Sequence, residues 1–160
     1  MGILCGLDLV EIARVERAME RRGDAFRRKV YTPSEQAYCE SRGKARYASY
    51  AARFSAKEAL SKALGTGIAA GVTFLDIEVV SDERGKPSLI LHGHTKQVFE
   101  ALGGKSLALS LTHCRDYAGA QVVIETEADS EKRFNPSNKA DSKKTGEGAV
   151  KEEAGHDEKA

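Results

Sequence analysis

Apolar positions along this chain recur with two periods, and each period points to an element. Ile3 to Ile12 is dense in Ile, Leu and Val and predicts a strand running into a turn. Ala13 to Arg22 has the composition of a helix that Gly23 closes, and a second short helix is expected over Ala25 to Val30. Thr32-Pro33-Ser34-Glu35 carries a cap, a first-turn proline and an acid three residues after the cap, so a helix should start there. It is predicted to run to about Ser41 and to stop at Gly43. The longest helical stretch, Arg46 to Leu64, is Ala-rich, free of Gly and Pro, and closed by Gly65. Phe74 to Val80 alternates like a strand, Asp82 to Pro87 reads as a turn, and Ser88 to Leu91 as the return strand. Thr95 to Leu102 predicts a short helix, and Leu107 to Thr112 with Tyr117 to Glu125 a final strand pair. Helices gather in the first half and strands in the second, which makes the class α+β.

The pattern stops near Glu127. From Ala128 to Ala160 the only large apolar residues are Phe134 and Val150, among 8 acids and 7 bases. Such a segment cannot bury enough surface to offset its ordering entropy, so a disordered charged tail is expected over 128–160 beside one domain at 1–127. Of the 160 residues, 41% are apolar and 31% charged, as in one globular domain. With 25 basic and 24 acidic residues the net charge is +1, which removes the simplest argument for a nucleic-acid coat. No run approaches the roughly 20 apolar residues of a membrane span, so no membrane association is expected. The N-terminal MGILCGLDLV lacks a basic leader region, and Gly6 stands where a myristoylation signal wants Ser or Thr. Cys5, Cys39 and Cys114 are odd in number and form no CxxC, which suggests reduced thiols in the cytoplasm.

Three segments hold polar residues where a purely structural design would avoid them. Asp8 interrupts an apolar strand, a costly place for a charge unless it is paired, faces solvent or meets a metal. Glu58 and Lys62 lie four apart on the Arg46–Leu64 helix, where an ion pair along the helix is the plain explanation, and Lys57 points about 100° away. His113 and Cys114 occupy a polar loop between two strands, and sequence adjacency alone does not make a nucleophile and its base. His92-Gly93-His94 invites zinc, yet a zinc site needs three or four ligands and no third partner is visible.

Taken in register, these segments resemble one family. Gly-x-Asp-apolar-x-x-Ile-x-Arg at Gly6 to Arg14, Phe-x-x-Lys-Glu-Ala-x-x-Lys-Ala at Phe54 to Ala63, and Ser-x-x-His-x-x-x-Tyr-Ala-x-Ala at Ser110 to Ala120 are similar to the motifs of holo-acyl-carrier-protein synthases. Gly85-Lys86-Pro87 stands where that family also keeps such a turn, and the likeness covers residues 2 to 126 in order and spacing. The tail is a departure from typical short members. The resemblance implies a 4'-phosphopantetheinyl transferase fold, an antiparallel sheet packed on a long helix. It implies transfer of phosphopantetheine from coenzyme A to a serine of acyl carrier protein in fatty acid biosynthesis, Mg²⁺ dependence, and a homotrimer with active sites between subunits.

The residues suit that chemistry. Attack on a pyrophosphate must manage negative charge on both phosphates, and Mg²⁺ held by one or two carboxylates is a standard arrangement. Asp8 and Glu58 are the expected metal ligands, and Lys62 the group that neutralises the phosphate and donates a proton as the bond breaks. The proton acceptor for the serine is open between a metal-adjacent water and a carboxylate. By resemblance, His113 binds a coenzyme A phosphate, and Gly85, Lys86 and Pro87 lie beside the adenine and its phosphates. Carrier proteins of this family are acidic, so Arg14, Arg17 and Arg21, which share one helix face, are expected to dock them. The competing classes are a non-enzymatic basic-helix module that binds an acidic partner, and a coenzyme A-dependent acyltransferase working without the metal.

Overall fold

The computed structural model describes residues 1–127, so the expected tail at 128–160 lies outside the described residues. In chain order the elements are β1 (Gly2–Glu11), α1 (Ile12–Val30), α2 (Pro33–Ser41), α3 (Arg46–Ala63), β2 (Ile77–Ser81), β3 (Pro87–Leu91), α4 (Gly93–Ala101), β4 (Gly104–His113) and β5 (Tyr117–Thr126). Strands β1, β5 and β4 form an antiparallel sheet in that order, and β2 and β3 form a separate antiparallel hairpin. The α+β expectation therefore holds, with the long helix α3 lying across the three-stranded sheet.

Period-two alternation divides the sheet into a covered and a bare face. Ala120, Val122 and Ile124 of β5 point under α3 and are buried against Ala56, Ala59, Leu60 and Ala63, while Ala118 is buried in a neighbouring cluster with Val10, Ala51 and Ala52. Ile77, Val79, Leu89 and Leu109 extend this core toward the hairpin. A second cluster, built on Val15, Met19, Val30, Tyr31 and Tyr50, packs α1 and α2 against α3. On the opposite face, Ile3, Leu7 and Leu9 are 53%, 68% and 65% exposed, and Tyr117 joins them at the sheet end.

One predicted break stands, and boundaries elsewhere move for local reasons. The break expected at Gly23 is present: α1 consists of two helical segments that meet at a kink there, because Gly23 takes φ 52° and ψ −135°, a region closed to side-chain-bearing residues. Phe74–Asp76 is a 3-10 turn, not the start of the strand: the Thr73 hydroxyl accepts from the Asp76 amide at 3.3 Å, and β2 begins only at Ile77. Helix α4 starts at Gly93, ahead of the expected Thr95, whose buried hydroxyl points to the Asp76 carboxylate at 3.4 Å from inside the first turn. The Thr32–Glu35 capping box forms with both of its hydrogen bonds.

Candidate active site

The site begins with a missing side chain. A Cβ on Gly6 would stand 1.9 Å from the Ala59 carbonyl oxygen and 2.7 Å from the Ala63 nitrogen. Only glycine lets α3 lie this close to β1, and the small side chains of Ala59 and Ala63 form the matching stripe. Glu58 and Lys62 each precede one of those alanines and so form a second stripe beside the contact. Asp8 follows Gly6 by two residues and shares its face of the strand. The three charged residues meet at that seam.

Lys62 Nζ donates to Asp8 Oδ1 at 2.8 Å and to the Leu7 carbonyl at 3.2 Å. Its partner is thus the acid on the strand rather than Glu58 one turn back. The Asp8 side chain is 14% exposed and that of Lys62 52%, so the lysine reaches from solvent onto a half-buried carboxylate. Burial is the main cause that pushes the Glu58 carboxyl above its ordinary range, and the neighbouring Asp8 charge adds to it. Lys62 and Arg14 oppose that rise. Two carboxylates that repel each other at a protein surface, with a movable ammonium between them and solvent, suit both a hard cation and a phosphate. Among the described residues no three His, Cys, Asp or Glu side chains gather into a metal cage. The donor set fits a cation such as Mg²⁺ that takes its remaining ligands from phosphate and water.

The other expected residues are not all brought to this seam. In the sheet register Asp8 faces Ala120 and then Leu111, while Val10 faces Ala118 and then His113. His113 therefore shares the Asp8 face but stands two strands away, roughly 10 Å sideways. Gly85, Lys86 and Pro87 line a groove of about 380 Å³ with Tyr38, Arg53 and Leu109 to Leu111, over the opposite edge strand, β4. Within one chain the carboxylate cluster and this groove occupy opposite edges of the sheet.

That groove contains a residue the sequence reading did not single out. Arg53 is 3% exposed, its guanidinium lies 4.0 Å from the Tyr38 ring centroid, and its Nε has no hydrogen-bond partner among the described residues. A buried cation with an unused donor beside Lys86 is suited to an anion. Its helical position, four residues before Lys57, carried no signal of burial, because arginine on a helix is ordinarily solvated.

Arg14, Arg17 and Arg21 do fall together. With Arg22 they border a groove of about 350 Å³ whose floor includes Val10, Val15, Phe26 and Phe54. Arg17 also approaches Glu11 at 3.5 Å across two exposed side chains, a weak tie. His92 and His94 diverge: His92 Nε2 pairs with Glu78 at 2.9 Å, whereas the His94 ring packs over Gly71.

Comparison with known proteins identifies the family. A model of the 4'-phosphopantetheinyl transferase superfamily matches residues 4–122. The holo-[acyl-carrier-protein] synthase of Ruminiclostridium cellulolyticum is 48% identical over 124 residues, which cover 78% of this chain and 92% of that protein. The synthase of Vibrio campbellii is 46% identical over 128 residues, 79% of this chain and all of the relative. Among solved structures, the synthase of Neisseria meningitidis superposes with a TM-score of 0.71 at 34% identity, covering 77% of this chain and 98% of that one. The Helicobacter pylori synthase in complex with coenzyme A gives 0.68 at 34% identity, covering 76% of this chain and 100% of that one.

Proposed function

The chain belongs to the 4'-phosphopantetheinyl transferase superfamily, and from that premise we propose that it transfers the phosphopantetheine arm of coenzyme A to a serine of apo-acyl carrier protein. The serine hydroxyl gives its proton to a water or carboxylate at the cluster, its oxygen bonds to the β-phosphorus, the pyrophosphate P–O bond breaks, and adenosine 3',5'-bisphosphate leaves. The observation that carries this reading is the meeting of Asp8, Glu58 and Lys62 over Gly6. Asp8 and Glu58 would hold Mg²⁺, which when bound supplies charge neutralisation for the phosphates. Lys62 sits at the mouth of the cluster with half its side chain in solvent, so it can swing from Asp8 to an arriving phosphate and offset charge on the leaving group.

Coenzyme A binding is assigned to two parts. Lys62 meets the pyrophosphate, and Gly85, Lys86, Pro87 and His113, joined by Arg53, take the adenosine and its 3'-phosphate. Because these parts occupy opposite sheet edges in one chain, a complete site needs a second copy to bring its groove to the Asp8 edge. The bare apolar sheet face supplies a surface for such an assembly, and we assign the homotrimer to it. The acidic carrier docks on Arg14, Arg17 and Arg21, with Phe26 and Phe54 receiving apolar side chains. The setting we assign is the cytoplasm, in fatty acid biosynthesis. Among the described residues no helix is long and apolar enough to cross a membrane.

Mass spectrometry of a carrier protein incubated with coenzyme A tests the reaction. A gain of about 340 Da marks phosphopantetheine. An acyl mass would instead indicate an acyltransferase, and no gain a binding module. Asp8→Ala and Glu58→Ala should each remove most of the transfer, and together little more, since groups that act as one unit are not additive. Two multiplicative losses, or full activity in EDTA, would refute the shared cation.

A further inference from the structure

Beside Glu58, on the other side of α3, lies a fully buried ion pair that the reaction as described does not use. Lys57 and Glu35 are both 0% exposed, and Lys57 Nζ donates to Glu35 Oε2 at 2.7 Å. The same nitrogen donates to the carbonyls of Val30 and Phe74, each at 2.8 Å. Three acceptors require three N–H donors, so this is an ammonium with all its protons placed. Glu35 is equally committed: Oε2 also accepts from the Thr32 amide at 2.8 Å and Oε1 from the Val79 amide at 3.0 Å.

The bonds tie five segments at one point. Val30 ends α1, the helix that carries the arginine face; Thr32 and Glu35 open α2; Phe74 belongs to the turn before the hairpin; Val79 lies in β2, the strand that leads to Gly85–Pro87. Lys57 brings α3 to that point one residue before Glu58. Buried ion pairs add little stability over an apolar pair of similar size, because desolvation cancels much of the attraction. What this pair adds is direction: the three Lys57 bonds hold α3 against the end of α1, the start of α2 and the turn before the hairpin, and the Glu35–Val79 bond ties α2 to β2.

We propose that Lys57 and Glu35 are positioning residues for the transfer reaction, holding α3 so that Glu58 faces Asp8 across the seam. The proposal rests on the role given to Glu58 above. Its test is the double substitution Lys57→Met/Glu35→Met, measured for melting temperature and kcat in the full chain and again in a Glu58→Gln background. Lys57→Met alone should lower the melting temperature, since it strands a buried carboxylate, and the double should recover part of that loss, because it removes both charges but leaves four backbone groups without their partners. The double should still lower kcat about tenfold or more, the scale of a small misplacement at a reacting centre. On the residual rate of Glu58→Gln the same double should act less than about twofold, because the group it positions is already gone. Glu35→Asp, which keeps the charge but shortens its reach, gives the same comparison should the double not fold. Wild-type kcat in the folded double or in Glu35→Asp, or equal losses in both backgrounds, would overturn the proposal. A fully active Glu58→Gln would overturn the site assignment and this proposal together, whereas an inactive Glu58→Gln with a fully active double overturns the positioning alone.

Discussion

Gly6→Ala is the smallest substitution that should separate the parts of the active site. Its added methyl would lie 1.9 Å from the Ala59 carbonyl oxygen, where ordinary contact needs about 3.5 Å. The obstacle is backbone on both sides, so no rotamer change relieves it, and α3 must retreat from β1 by roughly 1.5 Å. That displacement strains the 2.8 Å Lys62–Asp8 bond and moves Glu58 away from Asp8. Overpacking of this kind costs about 1–3 kcal/mol, which for a domain this size lowers the melting temperature by roughly 5–15 °C. The catalytic penalty should be larger: about a hundredfold in transfer rate at a temperature where the variant remains folded. Circular dichroism gives the first quantity and the carrier mass-gain assay the second. Ala59→Gly supplies the control, because it removes a methyl that is not the obstacle and so should not rescue Gly6→Ala. Rescue by Ala59→Gly, or a folded Gly6→Ala with wild-type turnover, would refute the close approach as the origin of the site.

Four other outcomes follow from named features. Glu58→Gln should raise the melting temperature near neutral pH while removing activity. The folded state holds Glu58 above its ordinary 4.5, so wild type loses stability as pH rises through that higher value; the gain should vanish below about pH 4, where both side chains are neutral, and a constant gain would contradict this. Arg14→Glu or Arg21→Glu should weaken carrier binding but not coenzyme A binding, and the wild-type association rate should fall with salt; indifference to both would move the partner to another surface. Mixing inactive Asp8→Ala chains with Arg53→Ala chains, after dissociation and reassembly, should restore activity at about a quarter of the sites; no recovery would mean that one chain holds the whole site. A chain ended at Glu127 should keep its melting temperature and activity, because residues 128–160 hold only two large apolar side chains; a drop of several degrees would show that they dock.

What the sequence made legible was the short-range part of this design. The Thr32–Glu35 cap spans three residues and could be read directly, as could the break at Gly23 and the closure after α3. Failures came where a distant residue overrode a local rule. Glu58 and Lys62 satisfy the spacing of a helical ion pair, yet Lys62 turns to Asp8, 54 positions away, because α3 rests on β1 and the strand carboxylate is nearer to its reach. Phe74 to Asp76 alternates like the strand that follows, but the Thr73 hydroxyl captures the Asp76 amide. Glu35 was visible as half of a capping box. Its second carboxylate task, toward Lys57 and Val79, depends on packing between elements 22 and 44 residues apart and left no periodic trace. The motif residues were identifiable by likeness to a family, whereas their division between two sheet edges required the strand order.

Under the proposed assembly, that division gives the bare apolar sheet face a role. Ile3, Leu7 and Leu9 alternate on a strand whose other face carries Gly6 and Asp8, so one ten-residue segment builds both the cluster and the uncovered surface. Covering what remains exposed of each of these side chains is worth about 1–2 kcal/mol, a contribution toward association that precedes any polar contact. In the proposed trimer, the contact that hides Ile3, Leu7 and Leu9 would also have to bring the groove of Arg53 and Lys86 to a neighbour's Asp8. Assembly and catalysis then draw on opposite faces of the same strand. A charged residue placed at Leu7 would therefore act on activity through oligomeric state, leaving the α3 packing and the chain's own fold intact.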